Sequence, residues 1–220
     1  RAEIFDLEAA VAALRRARKV LRGPRAEGSA AAEALEQRIL GQLRLALRAS
    51  REGHGHSETR YCAGLLAELE RPHEALEALA LHHFNASPPT AAECAALSPG
   101  QLGCWLASVF GAMHELVEDF FRLPRTCHRP LASELHLRLA SQVDASISAA
   151  LAWSGGLAAQ QALGGDAGGR RRAALRLVAT HALGLEAAVP GLTVAKDRVE
   201  QAWASETREP RPAPINEPGV

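Results

Sequence analysis

Apolar residues open the chain in a helical rhythm. Ile4, Leu7, Val11, Leu14 and Leu21 follow one another at steps of three, four, three and seven, with Arg18 filling the skipped slot. That stripe predicts a first amphipathic helix, which Gly23-Pro24 ends. The small, polar stretch from Ala26 to Ala32 reads as a loop. Leu35, Ile39, Leu43 and Ala46 then mark one face of a second helix, widened by Leu40 and Leu47. Glu33 and Glu36 near its start, and Arg44, Arg48 and Arg51 near its end, complement the helix dipole. The pair predicts an antiparallel hairpin over residues 1–52.

Gly53-His54-Gly55-His56 breaks the pattern, and Ser57 is the expected cap of a third helix bearing Tyr61, Leu65, Leu66 and Leu69. Glu70-Arg71 leaves room only for a tight link. Pro72 suits the first turn of a fourth helix with Ala75, Leu76, Leu79, Ala80 and His83. Ser98-Pro99-Gly100-Gln101 is a capping box opening a helix to about Leu123. Its inward positions are Leu102, Leu106, Val109, Met113, Leu116 and Phe120, with Trp105, Phe110, Val117 and Phe121 widening the stripe. Pro130 is expected to start the next helix, whose Leu131, Leu135, Leu139, Val143, Ile147 and Leu151 lead to Trp153. Gly164 to Gly169 reads as a flexible loop. Two further helices centre on Leu175 to Leu185 and on Val199 to Trp203.

The pattern predicts about eight helices and no strand. The expected fold is all-α, stacked antiparallel helical bundles forming a short rod. It divides into an N-terminal hairpin at 1–52, helical bundles at 53–208 with the glycine-rich loop at 164–169, and a proline-rich disordered tail at 209–220. Composition agrees: 45 Ala and 31 Leu stand against 10 Val, 4 Ile and 6 Thr, which excludes a mainly β protein and disfavours a parallel α/β sheet. The 25 basic and 25 acidic residues cancel, so nucleic acid is not an expected partner. Asp6, Glu8, Arg15 and Arg16 interrupt any apolar run of a secretory leader. The uncharged stretch from Ala145 to Gly165 carries too many serines, glutamines and glycines to span a bilayer. A chain opening on Arg1 rather than Met reads as part of a longer protein.

Candidate chemistry is sparse. His54 and His56 lie near Cys62, His82 and His83 are adjacent, and Cys127, His128 and His136 form a third group. None supplies four converging ligands locally, and neighbouring helical residues such as His82 and His83 point about 100° apart. No metal site and no cofactor are therefore expected. Cys62, Cys94, Cys104 and Cys127 form no C-x-x-C pair and read as free buried thiols, Cys104 among them. His114 and Glu115 adjoin on one helix, His114 reading as a face residue at the core boundary. There is no nucleophile elbow, no H-E-x-x-H and no phosphate loop, so no catalytic residues are assigned and an enzyme is not expected. Arg15, Arg16, Arg18, Lys19, Arg22 and Arg25 gather at the end of the first helix, where cations suit the dipole. Arg170, Arg171, Arg172 and Arg176 gather at a helix start, where they do not; these four are the candidate contact for an anionic partner or membrane surface.

The stretch Tyr61 to Leu76 (YCAGLLAELERPHEAL) resembles the step in helical-rod vesicle tethers where a leucine pair, a short break and a Glu-Ala restart follow in turn. Leu106 to Phe121, with Val109-Phe110 and Phe120-Phe121, resembles the aromatic-rich helix after that step. Cys127 to Leu151 is similar to the next long helix, and Phe5 to Val20 to the opening one. The family is the C-terminal, cullin-repeat-like helical region of the exocyst subunit that carries an upstream pleckstrin-homology domain. The likeness covers residues 3–153. The glycine-rich loop and proline-rich tail depart from it, and nothing here matches the pleckstrin-homology or GTPase-binding part, so those activities are not carried over.

The resemblance implies a non-enzymatic scaffold in a multisubunit complex that tethers secretory vesicles to the plasma membrane during exocytosis. Its partners would be other helical subunits, and its location cytoplasmic and peripheral at membranes. The alternative is a general α-helical adaptor or a peptide- or lipid-binding module with an unfilled apolar groove. Arg18 in the first helix's apolar stripe suggests a helix shared with a partner, provided the chain does not bury that helix itself.

Overall fold

A computed structural model describes residues 6–21, 29–53, 55–84, 89–189 and 193–207. These residues contain ten helices and no strand: the fold is all-α. Gly23-Pro24, His54, Asn85 to Pro88 and the expected tail at 209–220 lie outside the described residues. The chain forms two compact units. The first comprises residues 1–86 and 115–138, the second 87–114 and 139–220.

In the first unit, α1 (Leu7–Leu21) starts where Asp6 Oδ1 accepts the Ala9 N–H at 3.0 Å, a side-chain cap. Its Val11 and Leu14 are fully buried against α2 (Ser29–Gly53), which contributes Ile39, Leu40 and Leu43. Helix α2 also packs on α3 (His56–Glu68), and the first unit runs on past residue 52. Ser57 is not the cap: Gly55 holds that position, and Ser50 Oγ ties back to its carbonyl at 2.5 Å.

The link from α3 to α4 (Pro72–His83) spends three residues. The Arg71 N–H reaches the Leu66 carbonyl and the Glu70 N–H that of Ala67, with Glu70 at φ 63. This double closure is a Schellman turn, followed by proline at the first helical position. Leu65, Leu66, Leu69, Leu76 and Leu79 bury between the two helices and their neighbours.

The Arg18 slot is filled within the chain. Its guanidinium donates to Glu36 Oε2 at 2.6 Å and to the Leu69 carbonyl at 3.2 Å, while Arg71 reaches Glu36 Oε1 at 3.2 Å. Burial pushes the Glu36 carboxyl up, but these arginine contacts outweigh it and hold it below the usual range. A helix shared with a partner loses its motive, since α1 packs on α2 and α3 and its described stripe residues Val11 and Leu14 are fully buried there.

Two helices come in addition to the expected eight. The short α5 (Ala91–Ala96) is set by a Thr90/Glu93 capping box. Helix α6 (Pro99–Arg122) begins at the Ser98/Gln101 box as expected, although Phe121 is 58% exposed rather than inward and Cys104 is exposed rather than buried. Helix α7 (Arg125–Ser154) starts five residues before Pro130, which sits inside it. There it gives up the hydrogen bond its missing N–H would have made one turn back. In the second unit Trp153 is buried, and its indole N–H donates to the Leu97 carbonyl at 2.9 Å.

Helix α8 (Leu157–Leu163) is the second unexpected element. It packs on α5 so closely that a Cβ on Gly156 would stand 2.1 Å from the Ala95 carbonyl oxygen. The expected loop at 164–169 shrinks to Gly164-Gly165-Asp166, with both glycines at positive φ. Ala167-Gly168-Gly169 already form the first turn of α9 (Ala167–Ala188), capped by Asp166, whose Oδ1 accepts the Gly169 N–H at 2.7 Å. Helix α10 (Val194–Thr207) pairs with α9 over Leu175, Val178, Ala182, Val194 and Val199. No described helix is long and apolar enough to cross a membrane.

Candidate functional site

The first unit gathers titratable side chains where three helix ends meet. His56 opens α3, His82 and His83 close α4, and Glu115 and Asp119 lie on α6, one turn apart. The break at Gly53 to Gly55 and the tight α3–α4 turn bring residues 26 apart in sequence to within 2.6 Å, as His56 Nδ1 meets His82 Nε2.

Asp119 is the buried centre. Its Oδ2 accepts from His83 Nε2 at 3.0 Å, and its Oδ1 lies 2.8 Å from Arg122 Nη1. Arg60 Nε stands 2.6 Å from the same Oδ1, but its N–H is not aligned on the oxygen, so this contact is ionic. Burial alone would push the Asp119 carboxyl up; the His83 hydrogen bond and the ionic contacts of Arg60 and His83 overcome it and bring it from 3.8 to about 2. Asp119 is a fixed anion.

A chain of hydrogen bonds leads away from His56. Ser50 Oγ meets the Gly55 carbonyl at 2.5 Å and Thr59 Oγ1 at 2.7 Å; Thr59 Oγ1 meets His82 Nδ1 at 3.3 Å. The Gly55 carbonyl only accepts, and both Ser50 Oγ and Thr59 Oγ1 lie within reach of it, at 2.5 and 3.3 Å. Which imidazole nitrogens donate follows from the tautomers of His56 and His82. His56 Nε2 faces the carboxylates, 3.8 Å from Glu115 Oε2 and 3.9 Å from Asp119 Oδ2. Burial, followed by the Arg60 and His83 charges, holds the His56 imidazole below its usual protonation range. Burial, then His56 and His83, does the same for His82.

The adjacent histidines divide their work as their geometry requires: His82 faces His56 and His83 faces Asp119. Cys127 is buried, His128 bonds the Leu123 carbonyl at 2.9 Å and His136 is exposed. Cys62 is buried, and burial raises its thiol. The group was invisible to local spacing because His56, His83 and Asp119 come from three helices. The only signal was that His56, His83 and Asp119 each stand at or near a predicted helix end.

In the second unit three of the four arginines at the start of α9 have partners of their own. Arg170 donates to the Ser154 and Gly165 carbonyls at 3.2 and 2.7 Å. Arg171 pairs with Glu206 at 3.1 Å, and Arg176 lies over the Trp203 ring at 5.8 Å. Arg172 is exposed beside Gly168. The unfavourable position at a helix start is thus offset inside the unit. No family model, no curated protein and no solved structure matches the chain significantly.

Proposed function

We propose that the chain is a non-enzymatic helical scaffold, part of a multisubunit complex that tethers secretory vesicles to the plasma membrane. The α3–α4 step carries this reading. The stretch that resembles the tether family's break-and-restart is a helix ended by a Schellman turn at Glu70 and restarted at Pro72. Helices packed in chain order, α1 on α2, α2 on α3, α3 on α4 and α9 on α10, suit a part whose work is to present helix faces. Leu45, Phe121, Leu137 and Leu183 stand 57%, 58%, 66% and 57% exposed, side chains whose burial on a partner would each contribute a kcal/mol or two, about 25 cal/mol per Å². The setting is cytoplasmic, with Arg170, Arg171, Arg172 and Arg176 as the candidate contact for an anionic membrane.

Affinity capture of the tagged full chain from a secreting cell tests this. The expected outcome is stoichiometric recovery of other helical tether subunits. Recovery of the chain alone as a monomer overturns it.

A further inference from the structure

The cluster at the ends of α3, α4 and α6 turns two imidazoles toward one buried carboxylate: His56 Nε2 and His83 Nε2 stand 3.9 and 3.0 Å from Asp119 Oδ2. Among the described residues, His56, His83 and Asp119 each offer a ligand atom within 4.8 Å of the others.

We propose that His56 Nε2, His83 Nε2 and Asp119 Oδ2 form a binding site for a divalent transition-metal ion of the zinc class, with Glu115 at its open side. This is independent of the tethering role. Two imidazoles and one carboxylate are a zinc-type donor set, with bonds of about 2.0–2.2 Å. Ligand atoms on one such ion lie at most about 4.3 Å apart, so the 3.9 Å and 3.0 Å separations from Asp119 Oδ2 already fit. The remaining adjustment falls to His56, whose side chain is one-third exposed.

The outer contacts needed to orient such ligands are in place. His82 Nε2 holds His56 Nδ1 at 2.6 Å, and Arg60 and Arg122 occupy Asp119 Oδ1, leaving Oδ2 for the ion. His83 must give up its Nε2 proton to the solvent or to its other ring nitrogen on binding; its Nδ1 lies 3.5 Å from Glu115 Oε2, where an Nδ1–H would find an acceptor. The bound ion would join three helices of the first unit.

Zinc titration of the chelator-stripped full chain by calorimetry tests the site, with cobalt(II) absorption as a second readout. The wild type and Cys104→Ser should each bind one equivalent, with a cobalt spectrum lacking thiolate charge transfer. His56→Ala should lose at least about tenfold in affinity, the scale on which ligand-shell changes act, and should lose the zinc-induced rise in Tm. Equal zinc binding by wild type and His56→Ala, no binding by either, or a thiolate band in the cobalt spectrum would overturn the proposal.

Discussion

Replacing Glu36 by Gln removes one charge from the junction of α1, α2 and the α3–α4 link and almost no volume. The Glu36 side chain is 12% exposed, while Arg18 and Arg71 are 30% and 41% exposed. A charge-assisted hydrogen bond contributes about 1.5–3 kcal/mol when shielded. Here both arginines can turn partly to water, which cuts the two contacts together to about 1–2 kcal/mol. For a chain of this size that is a fall in Tm of about 2–8 °C.

The sign with pH is fixed. The folded-state carboxyl sits below its unfolded value of 4.5, so its stabilisation is complete above that value and is lost as pH falls through the folded one. Urea unfolding followed by far-ultraviolet circular dichroism should therefore show Glu36→Gln weaker than wild type at neutral pH, with the two converging in acid. A variant as stable as wild type at neutral pH, or a deficit that persists undiminished in strong acid, would refute the ion-triad explanation of Arg18.

Two further substitutions probe the second unit. Gly156→Ala places a methyl 2.1 Å from the Ala95 carbonyl oxygen, and neither backbone can yield cheaply. Thermal unfolding should show a loss of about 1–3 kcal/mol, and an unchanged Tm would mean that α5 and α8 do not pack this closely. Trp153→Phe strands the Leu97 carbonyl and leaves a void, a loss of about 1–3 kcal/mol. Hydrogen exchange should rise in α5 and in the last turns of α7 first, and uniform exchange would contradict that role.

Much of the fold was legible because long stripes and caps are local. The Ser98/Gln101 box, the Pro72 restart and the α7 stripe from Leu131 to Ile147 lie where periodicity puts them. Short helices were not legible. Helix α5 has six residues and one buried cysteine, too few to show a period, though Thr90-x-x-Glu93 announces its start. Helix α8 hides in an alanine- and glycine-rich stretch, and only its packing on α5 explains Gly156. Phe121 and Cys104 were misplaced because a wide apolar helix has more apolar residues than covered positions. The polar cluster was unreadable for another reason: Asp119 looked like one charge among several on α6, and its partners are 36 and 59 residues away.

The scaffold reading meets its most direct test on the outward leucines. Leu137→Glu and Leu183→Glu change side chains that are 66% and 57% exposed, so neither should lower Tm. Captured partner subunits should fall at least about tenfold for one or both variants, the loss expected when an apolar anchor of about 1.4 kcal/mol or more is replaced by a charge. Full partner recovery by both variants, at unchanged Tm, would contradict the claim that these faces grip other helical subunits.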